Sequence, residues 1–157
     1  MKFQMVFIPH KATDEEILTI IQQWVEVLAA EDYAKAFAEL GYSMSPYFDC
    51  SGDEAIRREI KSYRSPDFYP GITDFKVTDW RLAKDGKPNP RQRVIRYKPN
   101  DTKLAGAVEF DLPLNGKWSD LTADFVFFDN PKFREGYVLC LEEIDSFLQW
   151  QRENMTE

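Results

Sequence analysis

The dipeptide Asn115-Gly116 lies between two long stretches of alternating apolar residues and constrains the fold more than any other sequence feature. Both residues tolerate a positive φ, so the pair is the strongest short signal for a two-residue hairpin turn. The sequence therefore predicts a β-hairpin over residues 104–128, with Asn115-Gly116 at its tip and strands at 104–114 and 118–128.

A two-residue turn also predicts which side chains share a face of this hairpin. Phe110 should lie opposite Leu121, and nearly all apolar side chains then share one face, as a half-buried antiparallel sheet requires. On the other face Asp111 should lie directly opposite Asp120, and like charges placed so are destabilising. Four carboxylates share that acidic face: Glu109, Asp111, Asp120 and Asp124. The face is either simply solvated or a binding surface for a basic partner protein.

Helical patterns come before the strands, and this order predicts an α+β domain. Thr13 and Glu16 form a capping box, and apolar residues follow at helical spacing as far as Leu28. Two further helices are predicted over residues 33–40 and 53–64. The predicted buried residues are Ile17, Ile20, Ile21, Trp24, Leu28, Phe37, Val108, Phe110, Leu121, Phe125 and Leu139.

The remaining strands complete a predicted antiparallel sheet of about five, which the N-terminal helices cover on one face. Outside the hairpin, strands are predicted at residues 75–82, 91–98 and 137–142, which with the hairpin make five, and further short strands could form at 3–8 and 42–48. Helical spacing from Ile144 onward predicts a short closing helix. No linker or internal repeat interrupts the pattern, so residues 1–157 are expected to form one domain.

Charge and hydropathy exclude several classes of protein. The 157 residues carry 27 acidic and 20 basic side chains, a net charge of −7. A nucleic-acid binder needs a basic surface, and an anionic membrane would repel a protein with this negative net charge. Neither nucleic acid nor a membrane is therefore expected as a partner. No apolar run is long enough to span a bilayer, and the apolar residues 1–9 are too few for a signal peptide. We therefore expect a soluble, cytoplasmic protein.

Catalytic and metal-binding motifs are missing from the sequence. His10 is the one histidine, and its place between Pro9 and Lys11 is poor for the base of a nucleophile-histidine triad. Cys50 and Cys140 form no CxxC pair, and neither glycine-rich phosphate-binding signature occurs. The sequence thus predicts no cofactor, no metal and no assigned catalytic residue, and it favours a protein that is not an enzyme.

Residues 14–40 resemble the opening of the NTF2-like superfamily. In this stretch an amphipathic helix containing Trp24 leads through Asp32-Tyr33 into a second helix. Residues 112–122 resemble a hairpin common to uncharacterised bacterial proteins. The superfamily includes ketosteroid isomerases and SnoaL-like proteins, and the resemblance implies its cone fold, in which N-terminal helices pack on a curved antiparallel sheet. Since that fold hosts enzymes, binding modules and assembly domains, it implies no particular function.

An isomerase of this kind would need a carboxylate base and a tyrosine or protonated acid inside the cone. Candidate bases are Asp79, Asp111 and Asp124, and Tyr97 is the candidate donor, but none matches a family motif position. The cone could also bind a small apolar molecule. The side chains that could line such a pocket are Trp24, Trp80, Tyr97 and Asp79.

Two hypotheses of function therefore remain. The first is a non-enzymatic interaction protein, for example an immunity-type inhibitor whose acidic face neutralises a basic toxin. The alternative is an NTF2-like protein with a small apolar ligand, or an isomerase-type enzyme. The basic stretch from Arg91 to Lys98 is either an anion-binding patch or a solvated edge strand. The sequence leaves the oligomeric state open, a homodimer included.

Overall fold

The computed structural model describes residues 4–41 and 52–155. Its helices are α1 (Asp14–Ala29), α2 (Tyr33–Ala38), α3 (Gly52–Lys61) and α4 (Phe147–Asn154). The predicted capping box begins α1: the backbone N–H of Glu16 donates to the Thr13 hydroxyl, and the Thr13 N–H donates to the Glu16 carboxylate. The three N-terminal helices and the closing helix of the prediction are confirmed.

Five antiparallel strands form one strongly curled sheet, a half-barrel. The strands are β1 (Phe7–Ile8), β2 (Gln92–Arg96), β3 (Leu104–Leu114), β4 (Lys117–Phe128) and β5 (Tyr137–Asp145), arranged in the order β1-β5-β4-β3-β2. The α+β class with helices on a curved antiparallel sheet is thereby confirmed. The short strand predicted at residues 42–48 lies outside the described residues.

The turn of the β3–β4 hairpin is where the sequence placed it, but the register beyond the turn is different. Leu114 pairs with Lys117 as expected, whereas Phe110 pairs with Ala123 and not with Leu121. The difference is a bulge in β4 that adds two residues. The Ser119 hydroxyl holds this bulge together, donating to the Leu112 carbonyl at 2.7 Å and accepting from the Leu121 N–H at 3.0 Å.

The helices and one face of the sheet enclose the core. Trp24 of α1 packs edge-on against Phe125 of β4, with ring centroids 5.2 Å apart, and its indole N–H donates to the Ala36 carbonyl. Nine of the eleven residues predicted as core are buried. Ile20 is only partly buried, and the prediction for Phe37 is wrong because this side chain is 37% exposed.

Residues 75–82 do not form the predicted strand. This segment lies beside the tip of the β3–β4 hairpin and makes a single bridge to it, between Val77 and Leu114. The Asp79 carboxylate then accepts from the Arg81 N–H and begins a 3-10 turn, Trp80–Leu82. Side-chain capping of a turn competes here with strand pairing, and the alternation of the sequence does not reveal the outcome.

Candidate functional site: an acidic face of the sheet

Three carboxylates lie side by side on the face of the sheet turned away from the core, which we call the outer face. Glu109 of β3 pairs with Asp124 of β4, and Asp124 pairs with Glu143 of β5. On the other side of Glu109 lies Arg93 of β2. The row therefore runs from a cationic residue of the edge strand β2 to an anionic residue of β5.

A one-residue bulge in β5 brings two of the acidic residues to this face. Phe125 pairs with Leu141 but Asp124 pairs with Glu143, so Glu142 is the extra residue. An odd insertion reverses the alternation of side chains, and Glu143 and Asp145 therefore share the outer face with Asp124. In register, Asp145 lies opposite Thr122.

Asp124, Glu143 and Asp145 form a tight carboxylate cluster. One oxygen of each lies within 4.8 Å of the others. Burial, then a hydrogen bond with Asp145 and the charges of Asp145, Glu143 and Glu109, raise the pKa of Asp124 to about 8. Burial and the charges of Asp145 and Glu142 also raise the pKa of Glu143. Among the described residues, none of the three cluster carboxylates makes an ion pair. The crowding of like charges therefore works against full ionisation of the cluster.

Glu109 differs from that cluster because it has cationic partners. Arg91 approaches its carboxylate at 3.5 Å and Arg93 at 3.7 Å. Arg96 pairs instead with Asp14 at 2.8 Å and donates to the Ala12 carbonyl. The arginines of the predicted basic strand are thus engaged within the chain.

Asp111 is not part of any acidic surface, and its predicted place opposite Asp120 is wrong. Its carboxylate is fully buried and accepts from Lys87 Nζ at 2.6 Å and from the Arg91 N–H at 2.7 Å. The Thr122 hydroxyl, across the hairpin, donates at 2.7 Å. The bulge in β4 moves Asp120 away, and Asp111 instead fastens the loop before β2 to the sheet.

Asp120 is also buried, and its predicted exposure on the acidic face is likewise wrong. The bulge directs its carboxylate to the end of the sheet, where the hydroxyls of Tyr63 and Ser146 donate to it. Burial and this carboxylate raise the pKa of the Tyr63 hydroxyl far above its ordinary value. Ser146 in turn caps α4 by accepting from the Gln149 N–H. Asp120 therefore joins α4 to the segment after α3.

Two clefts flank the start of α4. The first, of about 310 Å³, is lined by Asp124, Asp145 and Phe147, and also by Lys87 and Arg91, whose charges are paired with Asp111 and Glu109. The second, of about 180 Å³, includes Glu59, Asp145, Trp150 and Glu153. Burial, then the charges of Asp145, Glu143 and Glu153, raise the pKa of Glu59. Asp145 lines both clefts, so the acidic surface continues around the end of the sheet.

The four residues of the predicted aromatic pocket do not line a common cavity. Trp24 is buried in the core, and Asp79 is bound by Arg81 at the surface. Tyr97 is 42% exposed and borders a separate cavity of about 400 Å³, which neither Trp24, Trp80 nor Asp79 lines. Of the three candidate bases, Asp124 faces outward, away from the interior of the curled sheet.

Glu143 and Asp145 are the site residues that sequence reasoning missed. The predicted last strand ended at residue 142, although β5 continues to Asp145. The signal was available: two polar residues separate Leu141 from Ile144, and both of these are buried. Such a break in alternation, inside an otherwise apolar strand, indicates a bulge.

No protein-family model matches the chain, and neither a curated protein nor a solved structure shows significant similarity to it. Within residues 4–41 and 52–155, none of the helices combines the length and the apolar character needed to cross a membrane. Assignment of function therefore depends on the outer face itself.

Proposed function

We propose that this protein is a non-enzymatic binding protein that holds a basic partner protein against the acidic outer face of its sheet. An immunity-type inhibitor of a basic toxin is one form that such a protein takes. The observation that carries the proposal is the cluster of Asp124, Glu143 and Asp145, which has no cationic partner among the described residues. A lysine or arginine side chain from a partner would relieve the repulsion within the cluster.

The proposed surface differs from the one expected from sequence. Glu109 and Asp124 remain in it, while Asp111 and Asp120 leave it because buried donors already satisfy them. Glu143 and Asp145 take their place. The net charge of −7 supports the same partner, since it speeds encounter with a cationic protein at low salt.

A lysine decapeptide tests the proposal, with binding followed by fluorescence anisotropy. We expect it to bind at low salt and to lose affinity as salt rises, because exposed charge pairs are screened. The Glu143→Gln/Asp145→Asn variant should bind several-fold more weakly. A matched control, Asp101→Asn/Glu135→Gln, changes the net charge equally at exposed positions elsewhere and should bind like the wild type. Equal weakening by both variants would show a general charge effect and contradict the proposed site.

Membership of the NTF2-like superfamily is part of the same proposal. Its support is the curled antiparallel half-barrel with three helices ahead of the hairpin. The alternative, a small apolar ligand or an isomerase-type activity in the cone, stays a prediction. The edge-to-face contact of Trp24 with Phe125 fills the core face at that point, which favours the interaction protein. The cytoplasmic location also stays a prediction.

A further inference from the structure

The first turn of α4 exposes an unusual amount of apolar surface. Phe147 is 64% exposed and Trp150 is 51% exposed, and their rings stack with centroids 6.1 Å apart and an interplanar angle of 12°. We call this pair the α4 ridge. Exposed apolar patches rimmed by polar residues mark interaction sites, and aromatic rings are prominent among interface anchors.

The α4 ridge separates the two acidic clefts. Phe147 lines the first cleft, together with Asp124 and Asp145. Lys87 and Arg91 line it too, but Asp111 and Glu109 pair with them, whereas Asp124 and Asp145 have no ion pair among the described residues. Trp150 lines the second cleft, together with Glu59 and Asp145. Each ring is therefore bordered by carboxylates, so one partner group can meet a π face and an anion at the same place.

From this arrangement, and on the basis of the proposed function, we infer that the partner docks an arginine-bearing segment across the α4 ridge, with guanidinium groups entering both clefts. A guanidinium group is planar and weakly hydrated, stacks on aromatic faces, and donates several hydrogen bonds at its edges. Here its plane would lie on Phe147 or Trp150 while its edge donates to Asp145. A lysine ammonium is a compact, strongly hydrated charge that suits the carboxylates but gains less from the rings.

Charge complementarity decides between this occupant and a second copy of the chain. Two copies joined at the α4 ridge would bring Glu143, Asp145 and Glu153 of each close to the same residues of the other. Like-charge juxtaposition of that kind opposes association. A cationic segment would instead be attracted by these carboxylates, and its guanidinium groups would also stack on the two rings.

Arginine and lysine decapeptides, compared at equal salt, test the inference. We expect the wild type to bind the arginine peptide about fivefold more tightly, the size of one or two exposed cation–π contacts. In Phe147→Ala/Trp150→Ala that preference should disappear while lysine affinity stays within about twofold. Tyr97→Ala, which removes an exposed ring elsewhere, should keep the preference. If the double alanine variant unfolds, Phe147→Leu/Trp150→Leu retains apolar bulk without the π faces and should also lose the preference.

The outcomes separate this inference from the proposed function. Equal affinity of the two peptides for the wild type would overturn the inferred arginine docking across the α4 ridge, and so would an arginine preference that survives loss of both rings. Neither result would contradict the acidic site. If Glu143→Gln/Asp145→Asn bound the lysine peptide as tightly as the wild type does, the proposed acidic site would be contradicted. A dimer seen by sedimentation that disappears with the ring substitutions would identify a second copy as the occupant, and would also overturn the inference.

Discussion

Two aspartates that look like surface residues in the sequence are structural in the folded protein. Asp111 has three donors around a fully buried carboxylate, and Asp120 receives two hydroxyl donors. Alternation along a strand assigns a side chain to a face, but it does not reveal that a loop will cover that face. The donors to Asp111 include Lys87, which lies outside the hairpin, so a two-strand pattern could not predict them.

The Asp111→Asn substitution should therefore destabilise the protein, contrary to what an exposed acidic face implies. Lys87 would lose the carboxylate it contacts at 2.6 Å, and an amide side chain at this position could not accept from all three donors. We expect a loss of about 3 kcal/mol in the free energy of unfolding. Urea denaturation measures it. The exposed Asp101→Asn control should stay within about 0.5 kcal/mol of the wild type, and a similarly small effect at Asp111 would contradict the structural role.

At the scale of elements, local patterns predicted most helices and strands. The register predicted for the β3–β4 hairpin was wrong because it depends on contacts that the strand pattern does not show. The bounds of β3, Leu104–Leu114, are those expected from the sequence, and α4 begins close to its predicted start. The bulge in β4 depends on one hydroxyl group, that of Ser119, which alternation cannot distinguish from any other small polar residue. The strand predicted at residues 75–82 was wrong for a related reason, because this segment contacts the hairpin tip, which is distant in sequence.

A second prediction on stability concerns the Ser119 hydroxyl. Ser119→Ala removes the acceptor of the Leu121 N–H and the donor to the Leu112 carbonyl, both in a buried position. Leaving such groups unpaired should cost about 1–3 kcal/mol of unfolding free energy. Thermal or urea unfolding provides the measurement, with Ser62→Ala as the control at an exposed serine. If the two serine variants were equally stable, the bulge would not depend on this hydroxyl.

At the scale of the whole molecule, the acidic cluster links folding to pH. Burial and neighbouring carboxylates raise the pKa of Asp124 from 3.8 to about 8 in the folded state. Glu109, Glu143 and Asp145 face this residue from β3 and β5, and Lys87 and Arg91 line the same cleft. Between these pKa values the Asp124 carboxyl binds more protons in the folded than in the unfolded chain, so its contribution to stability falls as pH rises.

We therefore expect the wild type to be less stable at pH 8 than at pH 5. One proton contributes at most about 1.4 kcal/mol per pH unit, and solvent screening of a partly exposed group lowers this figure. Asp124→Asn should flatten the slope and be the more stable protein, relative to the wild type, at pH 8. Urea midpoints at the two pH values measure both effects, with Asp101→Asn expected to run parallel to the wild type. A wild type that gains stability over this interval relative to Asp124→Asn would contradict the raised pKa.

The two bulges also bear on how such a sheet can change over evolution. The bulge in β4 adds two residues, so alternation resumes in phase and Phe125 and Phe127 keep facing the core. The bulge in β5 adds one, and every side chain beyond it changes face, Glu143 and Asp145 among them. Insertions of even length are therefore silent in the apolar pattern of a strand, whereas a single inserted residue can turn a set of side chains outward in one step. A one-residue insertion is thus a short mutational route by which a buried strand end acquires a charged surface.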